Sequence, residues 1–121
     1  MDIGTQTHLT TLRSLLAFRL NDLRAEVHAA ELARTGQDAN DEVTDRKDAA
    51  AQAMVTDIDE AEDRLHLAEM TEIEHALHRM DTATYGDCVD CGEPIPLARL
   101  LVQPAALRCT GCQAAGERRP A

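Results

Sequence analysis

Apolar residues recur every three or four positions in the first third of the chain, a spacing that places them on one face of a helix. The stripe comprises Leu9, Leu12, Leu16, Leu20, Leu23, Val27 and Ala30. It predicts a helix over about residues 8–35. Residues 1–7 are expected to be frayed, and Gly36 is expected to form the left-handed C-cap.

A second, longer stretch without Pro or Gly predicts a helix over about residues 46–82. Its apolar positions are Ala50, Met54, Ile58, Ala61, Leu65 and Ala68, followed by a shift to Ile73, Leu77 and Met80. Residues 36–45 between the helices are polar and turn-forming, so residues 1–84 are predicted to form a long antiparallel coiled-coil hairpin with its tip at 36–45. The apolar stripe toward the tip is thin, so that part should pack closely but be only modestly stable.

All four cysteines lie in the last third of the chain as two C-x-x-C pairs, with seventeen residues between the pairs. Cys88, Cys91, Cys109 and Cys112 can thus complete a tetrahedral four-thiolate shell, which suits zinc. Because the protein supplies all four ligands, we expect one zinc ion with a structural rather than a catalytic role.

A small zinc-finger module is therefore predicted over residues 85–121. Gly92 and Gly111 lie at the two cysteine pairs, where a tight turn often needs a positive φ. A short C-terminal helix is expected from about Thr110 to Glu117. The predicted fold class is mainly α: a helical hairpin followed by this four-cysteine module.

Four cysteines can also serve in three other ways. Two disulfides need an oxidising compartment, and nothing in the sequence indicates export. A thioredoxin-like pair needs a βαβ setting, which the pattern does not contain. An iron–sulfur cluster also takes four thiolates, but its common spacings differ from this one.

Composition narrows the classes of partner. The chain has 121 residues, a net charge of −10 and 2% aromatic residues. It should repel phosphate backbones, so direct sequence-specific binding to DNA is not expected, and a basic groove on another protein suits it better. No membrane span or secretion signal can be read, so the expected location is the cytoplasm. A hairpin that pairs with itself should be a monomer.

The start of the second helix carries two carboxylates, Asp45 and Asp48. Asp45 is a suitable N-cap and Asp48 falls at the third helical position, where negative charge favours the helix dipole. The same carboxylates, at the end of a hairpin, could instead act on a partner's metal or basic residues. The two interpretations are compatible, because one carboxylate can cap while the other faces outward.

Three blocks of the sequence resemble the DksA/TraR family. The first is the cysteine module, with Tyr85-Gly86-x-Cys88-x-x-Cys91-Gly92-x-x-Ile95, Arg99-Leu100, Pro104 and Cys109-x-x-Cys112. The second is the tip motif D-x-x-D-x-A, matched by Asp45, Asp48 and Ala50. The third is the separation of forty residues between Asp48 and Cys88.

This resemblance implies a transcription regulator that binds bacterial RNA polymerase directly. Members of the family insert the hairpin into the secondary channel of the polymerase and alter the stability of promoter complexes, as part of the stringent response. Asp45 and Asp48 would then act near the catalytic centre, and Ala50 would help to shape the tip.

The chain departs from the family where well-studied members help to bind guanosine tetraphosphate. Residues 68–75 contain three Glu and no Lys or Arg, and Gln113 follows Cys112 where the family often has Lys. The N-terminal extension of longer members is also expected to be short or missing. We therefore expect weak dependence, or none, on this tetra-anionic ligand.

Two other function classes remain open. A zinc-ribbon adaptor for nucleic acid or protein would need a basic face with stacking aromatics, for which only Tyr85 and scattered arginines qualify. An enzymatic variant would use the tip carboxylates to recruit magnesium into the polymerase and stimulate transcript cleavage. The sequence itself contains no nucleophile–base pair, phosphate loop or open metal site, so a non-enzyme is predicted.

Overall fold

The computed structural model describes residues 1–39 and 46–118, with side chains described for residues 1–36 and 50–117. The helices of this part of the chain are α1 (Ile3–Thr7), α2 (Leu9–Ala39), α3 (Arg46–Asp81), α4 (Leu97–Val102) and α5 (Thr110–Arg118). Its β-structure is limited to one isolated antiparallel bridge, between Asp87 and Pro94. Among the described residues, no helix combines the length and hydropathy that crossing a bilayer requires.

The chain divides into two compact units. The first contains Met1–Leu20 and Glu72–Ala121, so it combines the start of α2 with the end of α3 and everything that follows. Its core is formed by side chains that are at least nine-tenths buried: Leu12, Leu16, Leu20, Ile73, Ala76, Met80, Tyr85, Ile95 and Leu100. The start of α2, the end of α3 and the cysteine module therefore share one hydrophobic core.

The second unit, Asn21–Thr71, is held together differently. Leu23 is the only buried side chain among its described residues. The small side chains of Ala29, Ala30 and Ala33 on α2 line an open groove of about 530 Å³, together with Asp59 and Glu62 of α3. Ion pairs from α2 to α3 border this groove, with Arg34 bound to Asp63 and Glu26 Oε2 lying 3.3 Å from His66 Nε2.

These ion pairs also fix the direction of the two helices. The partner number on α3 falls from 66 to 63 as the position on α2 rises from 26 to 34, so the helices run antiparallel. The prediction of a mainly α fold with a long antiparallel hairpin and a four-cysteine module is confirmed.

The predicted C-cap at Gly36 is wrong, because α2 continues through this residue to Ala39. Glycine costs only about 1 kcal/mol relative to alanine inside a helix, which a helix of 31 residues can tolerate. The rest of the predicted tip segment, residues 40–45 with Asp45, lies outside the described residues.

The apolar residues that were predicted to pack are buried in the first unit but exposed in the second. Leu12, Leu16 and Leu20 are buried as expected, as are Ile73 and Met80 after the shift. In the second unit the stripe residues Met54, Ile58 and Leu65 are 68%, 56% and 70% exposed. The reason is that α3 turns a different side, that of Asp63 and His66, toward α2.

The expectation of a frayed N-terminus is also wrong. Residues Ile3–Thr7 form α1, and Thr5 in this helix is fully buried. The amino group of Met1 lies 3.2 Å from the carboxylate of Asp87, which precedes the first cysteine. A helix this short has little stability alone, so tertiary contacts account for its formation.

The difference between buried and exposed positions on α2 gives the first testable prediction. Leu16 is 2% exposed, so Leu16→Ala should destabilise the protein by about 2–5 kcal/mol through lost burial and the cavity left behind. Phe18, two residues on, is 75% exposed, and Phe18→Ala should change stability by less than about 0.5 kcal/mol. Urea unfolding of the zinc-loaded chain measures both, and equal losses would contradict the assignment of the core.

Candidate metal centre

The first cysteine pair forms a tight turn that points both thiols to one side. The amide of Gly92 donates to the carbonyl of Cys88 over 2.9 Å, and the amide of Cys88 donates to the carbonyl of Glu93 over 2.9 Å. Gly92 has a φ of +75°, a left-handed conformation that glycine adopts without strain. The positive φ expected at Gly92 is thus confirmed.

The second cysteine pair uses a helix start instead of a left-handed turn. Cys109 precedes α5 and Cys112 lies in its first turn, where the amide of Gln113 donates to the carbonyl of Cys109 over 2.9 Å. Gly111 is an ordinary helical residue of α5, so the positive φ expected there is wrong. The C-terminal helix predicted from Thr110 is confirmed.

Two hydrogen bonds hold the two cysteine pairs together, and a third ties the second pair to α4. The amide of Val89 donates to the carbonyl of Leu107 over 2.9 Å. Arg108 Nε donates to Asp90 Oδ2 over 2.7 Å, so a side chain beside Cys109 is tied to one inside the first pair. Arg99 Nε in turn donates to the carbonyl of Arg108 over 2.9 Å. Sequence reasoning missed this arrangement, because ion pairs across a loop leave no periodic signal.

The four cysteine sulfurs converge on one point. Their Sγ atoms all lie within 4.8 Å of one another, and Cys91 Sγ is 3.9 Å from Cys109 Sγ. Four sulfurs at about 2.3 Å from a tetrahedral zinc ion lie about 3.8 Å apart, so this spacing fits zinc. Within the described chain, no other group of three or more Cys, His, Asp or Glu side chains is close enough to hold a metal.

The protonation of these thiols also favours a bound cation. Backbone hydrogen bonds at Cys91 and Cys109 lower the pKa of Cys88 to about 6. Hydrogen bonds with Cys109, Cys88 and Cys91 raise the pKa of Cys112 to about 12. Without a metal the four groups therefore cannot all be thiolates near neutral pH, and a divalent cation removes this obstacle.

Tyr85 anchors the cysteine module to the core of the first unit. Its side chain is fully buried, and its hydroxyl donates to the carbonyl of Pro104 over 2.7 Å. Burial raises the pKa of Tyr85 to about 12, so the hydroxyl stays protonated and able to donate. Gly86 follows with a φ of +91°, and a Cβ there would lie 3.3 Å from side-chain atoms of Met1 and Thr5.

The residues predicted for the tip are described only in part. Ala50 lies in α3 and is exposed. Asp48 lies in the first turn of the same helix, but its side chain is outside the described part of the structure, as is the whole of Asp45. Their roles therefore stay predictions.

A closed site of four convergent thiols, built from two short loops on the end of a helical hairpin, defines a C4-type zinc finger with a structural zinc ion. Residues 83–118 match the family model for the prokaryotic dksA/traR C4-type zinc finger. The chain belongs to the DksA/TraR family.

Individual relatives extend this likeness. The chain is 42% identical over 50 residues to the RNA polymerase-binding transcription factor DksA of Caulobacter vibrioides, covering 41% of this chain and 35% of the relative. It is 36% identical over 90 residues to the protein of the same name in Haemophilus influenzae, covering 72% of this chain and 62% of the relative. The chain thus spans between about a third and two thirds of these relatives.

The structural similarity to a solved relative extends over more of the chain than the sequence similarity to the relatives above. The structure of transcription factor DksA2 from Pseudomonas aeruginosa superposes with a TM-score of 0.78 at 25% identity. The match covers 98% of this chain and 87% of that one. The N-terminal segment and the long helices therefore belong to the shared fold together with the finger.

Removal of one thiol should abolish zinc binding. In the purified chain, Cys112→Ser or Cys88→Ser is expected to lose its zinc and to unfold the finger, because metal binding and folding are coupled in such modules. Zinc content per chain and a melting curve measure the two effects. Val89→Ser, an exposed substitution between the first two cysteines, serves as control and should keep both. A Cys112→Ser protein with one zinc and an unchanged melting curve would rule out the four-thiolate site.

Proposed function

We propose that this protein is a transcription regulator that binds bacterial RNA polymerase directly. Its hairpin tip would enter the secondary channel and alter the stability of promoter complexes. The observation that carries the proposal is the C4 finger on a long helical hairpin, in a fold that superposes on DksA2 over 98% of the chain. Such a factor would work as a monomer in the cytoplasm.

In this proposal Cys88, Cys91, Cys109 and Cys112 are the zinc ligands, and the zinc is structural. Asp45 and Asp48 are the residues that act on the polymerase, with Ala50 shaping the tip. The hairpin comprises residues 1–84 and the finger 85–121. The tip carboxylates suit this task because carboxylates can accept hydrogen bonds from a partner or act on its metal or basic residues.

A nucleic-acid-binding finger is less well supported. Tyr85 is the aromatic residue of the finger that base stacking would need. It is fully buried and donates its hydroxyl to the carbonyl of Pro104, so it cannot stack on a base. Arg99 and Arg108 form hydrogen bonds within the finger. With a net charge of −10, the chain offers little to attract a phosphate backbone.

We also propose that the protein is not an enzyme in its own right. The four-thiolate site is complete without water or substrate, so its metal has no open position for catalysis. Any chemistry would belong to the polymerase, whose active centre the tip approaches.

Binding to RNA polymerase and its regulatory outcome can be tested together. The zinc-loaded chain should compete with a known secondary-channel factor for purified polymerase. Asp48→Asn should compete equally well and keep its fold, at a cost of at most about 1 kcal/mol, but lose its effect on promoter complexes. The reason is that the carboxylate acts after the hairpin has been inserted.

The control for this experiment is Glu60→Gln, which neutralises an exposed carboxylate of α3 away from the tip motif. It should bind and regulate like the unmodified chain. If zinc-loaded protein does not bind polymerase at all, the proposed function is wrong. If Asp48→Asn regulates normally, Asp48 serves only the helix terminus.

Guanosine tetraphosphate should have little effect on this regulator. The ligand is polyanionic, and residues 68–75 carry Glu69, Glu72 and Glu74 with no Lys or Arg. In a purified transcription reaction, adding the ligand at saturating concentration should change the action of the protein by less than about twofold. A clear enhancement over the ligand's effect on polymerase alone would contradict this prediction.

A further inference from the structure

Three consecutive contacts join the two cysteine loops of the finger. The first is a backbone hydrogen bond, the second an ion pair and the third a pair of thiols, and the partners in each are eighteen positions apart. In chain order the contacts are Val89 with Leu107, Asp90 with Arg108, and Cys91 with Cys109. Since both numbers rise together, the loops run side by side in the same direction over three residues.

The thiol pair at the end of this row is the accessible edge of the metal centre. Cys88 is only 3% exposed, whereas Cys91 is exposed and Cys109 is half-buried. Water or a competing ligand from solution therefore reaches the sulfurs first at Cys91. The site opens to solvent when the two loops separate along the edge between Cys91 and Cys109.

The ion pair next to this edge ties the two loops together. Arg108 Nε donates to Asp90 Oδ2 over 2.7 Å, a short, charge-assisted hydrogen bond. The side chains are 39% and 48% exposed, so dissolved salt can screen their attraction. The backbone of Arg108 is itself held from α4, because Arg99 Nε donates to its carbonyl over 2.9 Å. A held arginine thus links the second loop to the first.

The charge of Asp90 by itself works against the metal centre. Four thiolates around one divalent cation carry a formal charge of −2, so a nearby carboxylate disfavours the loaded site and a nearby guanidinium favours it. Acting only through their charges, Asp90 and Arg108 would therefore have opposite effects on zinc. Acting as an ion pair that holds the loops together, they have the same effect, and this difference can be measured.

We propose that Asp90 and Arg108 are positioning residues that control how fast the finger releases its zinc. Their ion pair keeps Cys91 beside Cys109, and it must break before the accessible edge can open. This inference goes beyond the proposed function, because it concerns the exchange of metal with ligands in solution and needs no contact with RNA polymerase.

Transfer of zinc from the loaded full-length chain to an excess of a coloured chelator measures the release rate. At low salt, Asp90→Asn and Arg108→Gln should each speed release by about threefold to fivefold, the range that a partly exposed ion pair supports. Both changes should act in the same direction, although one removes a negative charge and the other a positive charge. The ratio of each variant's rate to that of the unmodified chain should fall toward one as salt rises.

Two further variants separate the ion pair from charge and from loop stability. Exchange of the two residues, Asp90→Arg together with Arg108→Asp, rebuilds the pair at the same net charge and should restore slow release. Glu93→Gln removes an exposed carboxylate from the same loop but leaves the pair intact, so it should release zinc no faster than the unmodified chain. All variants should bind one zinc per chain, because none alters a thiol.

The outcomes decide the inference without reference to polymerase binding. If Asp90→Asn slows release while Arg108→Gln speeds it, charge at the thiolates acts instead of the ion pair, and the inference is overturned. Unchanged rates in both single variants, or an exchanged pair that releases zinc as fast as they do, would also overturn it. The unmodified chain gives a test that needs no variant: its release should quicken with salt, and a rate that salt leaves unchanged contradicts the proposal.

Discussion

Four cysteine sulfurs within 4.8 Å of one another need a cation to share their charge, and the C-terminal part of the fold depends on meeting this need. The loops that carry the thiols contain little regular structure apart from α5, and they enclose few apolar side chains. The zinc ion therefore stabilises these loops in the way that a hydrophobic core stabilises a larger module. Tyr85 is buried in the core of the same unit and donates its hydroxyl to the carbonyl of Pro104, so that metal binding and packing of the first unit support each other.

The second unit follows different physical rules. Its described helices are linked by partly exposed ion pairs beside an alanine-lined groove, and each such pair contributes about 1 kcal/mol or less. Stability there depends mainly on the helix propensity of long, alanine-rich stretches and on their continuity with the first unit. The larger apolar side chains of this part of α3, Met54, Ile58 and Leu65, are more than half exposed.

This difference between the two units explains which parts of the structure could be predicted from the sequence. The cysteine spacing predicts the metal centre because two residues between thiols leave few geometries open. The row from Leu12 to Leu20 predicts the core because its spacing of four residues keeps these leucines on one face of α2. The row from Met54 to Leu65 has the same periodicity, but periodicity cannot say whether the apolar face meets its own chain or a partner. The short helices α1 and α4 depend on tertiary contacts, and neither has a side-chain N-cap that the sequence could have revealed.

The distribution of charge separates attachment from action in the proposed regulator. A chain with a net charge of −10 gains little from DNA, so its specificity must come from contacts with protein. In the proposed regulator the hairpin and the finger would supply the affinity for polymerase, whereas Asp48 would contribute little affinity and would change what happens at the active centre. A variant with weakened binding should therefore recover its effect when the protein concentration is raised, whereas Asp48→Asn should not. This difference follows from mass action, because a saturated complex that lacks the acting group stays inactive at any concentration.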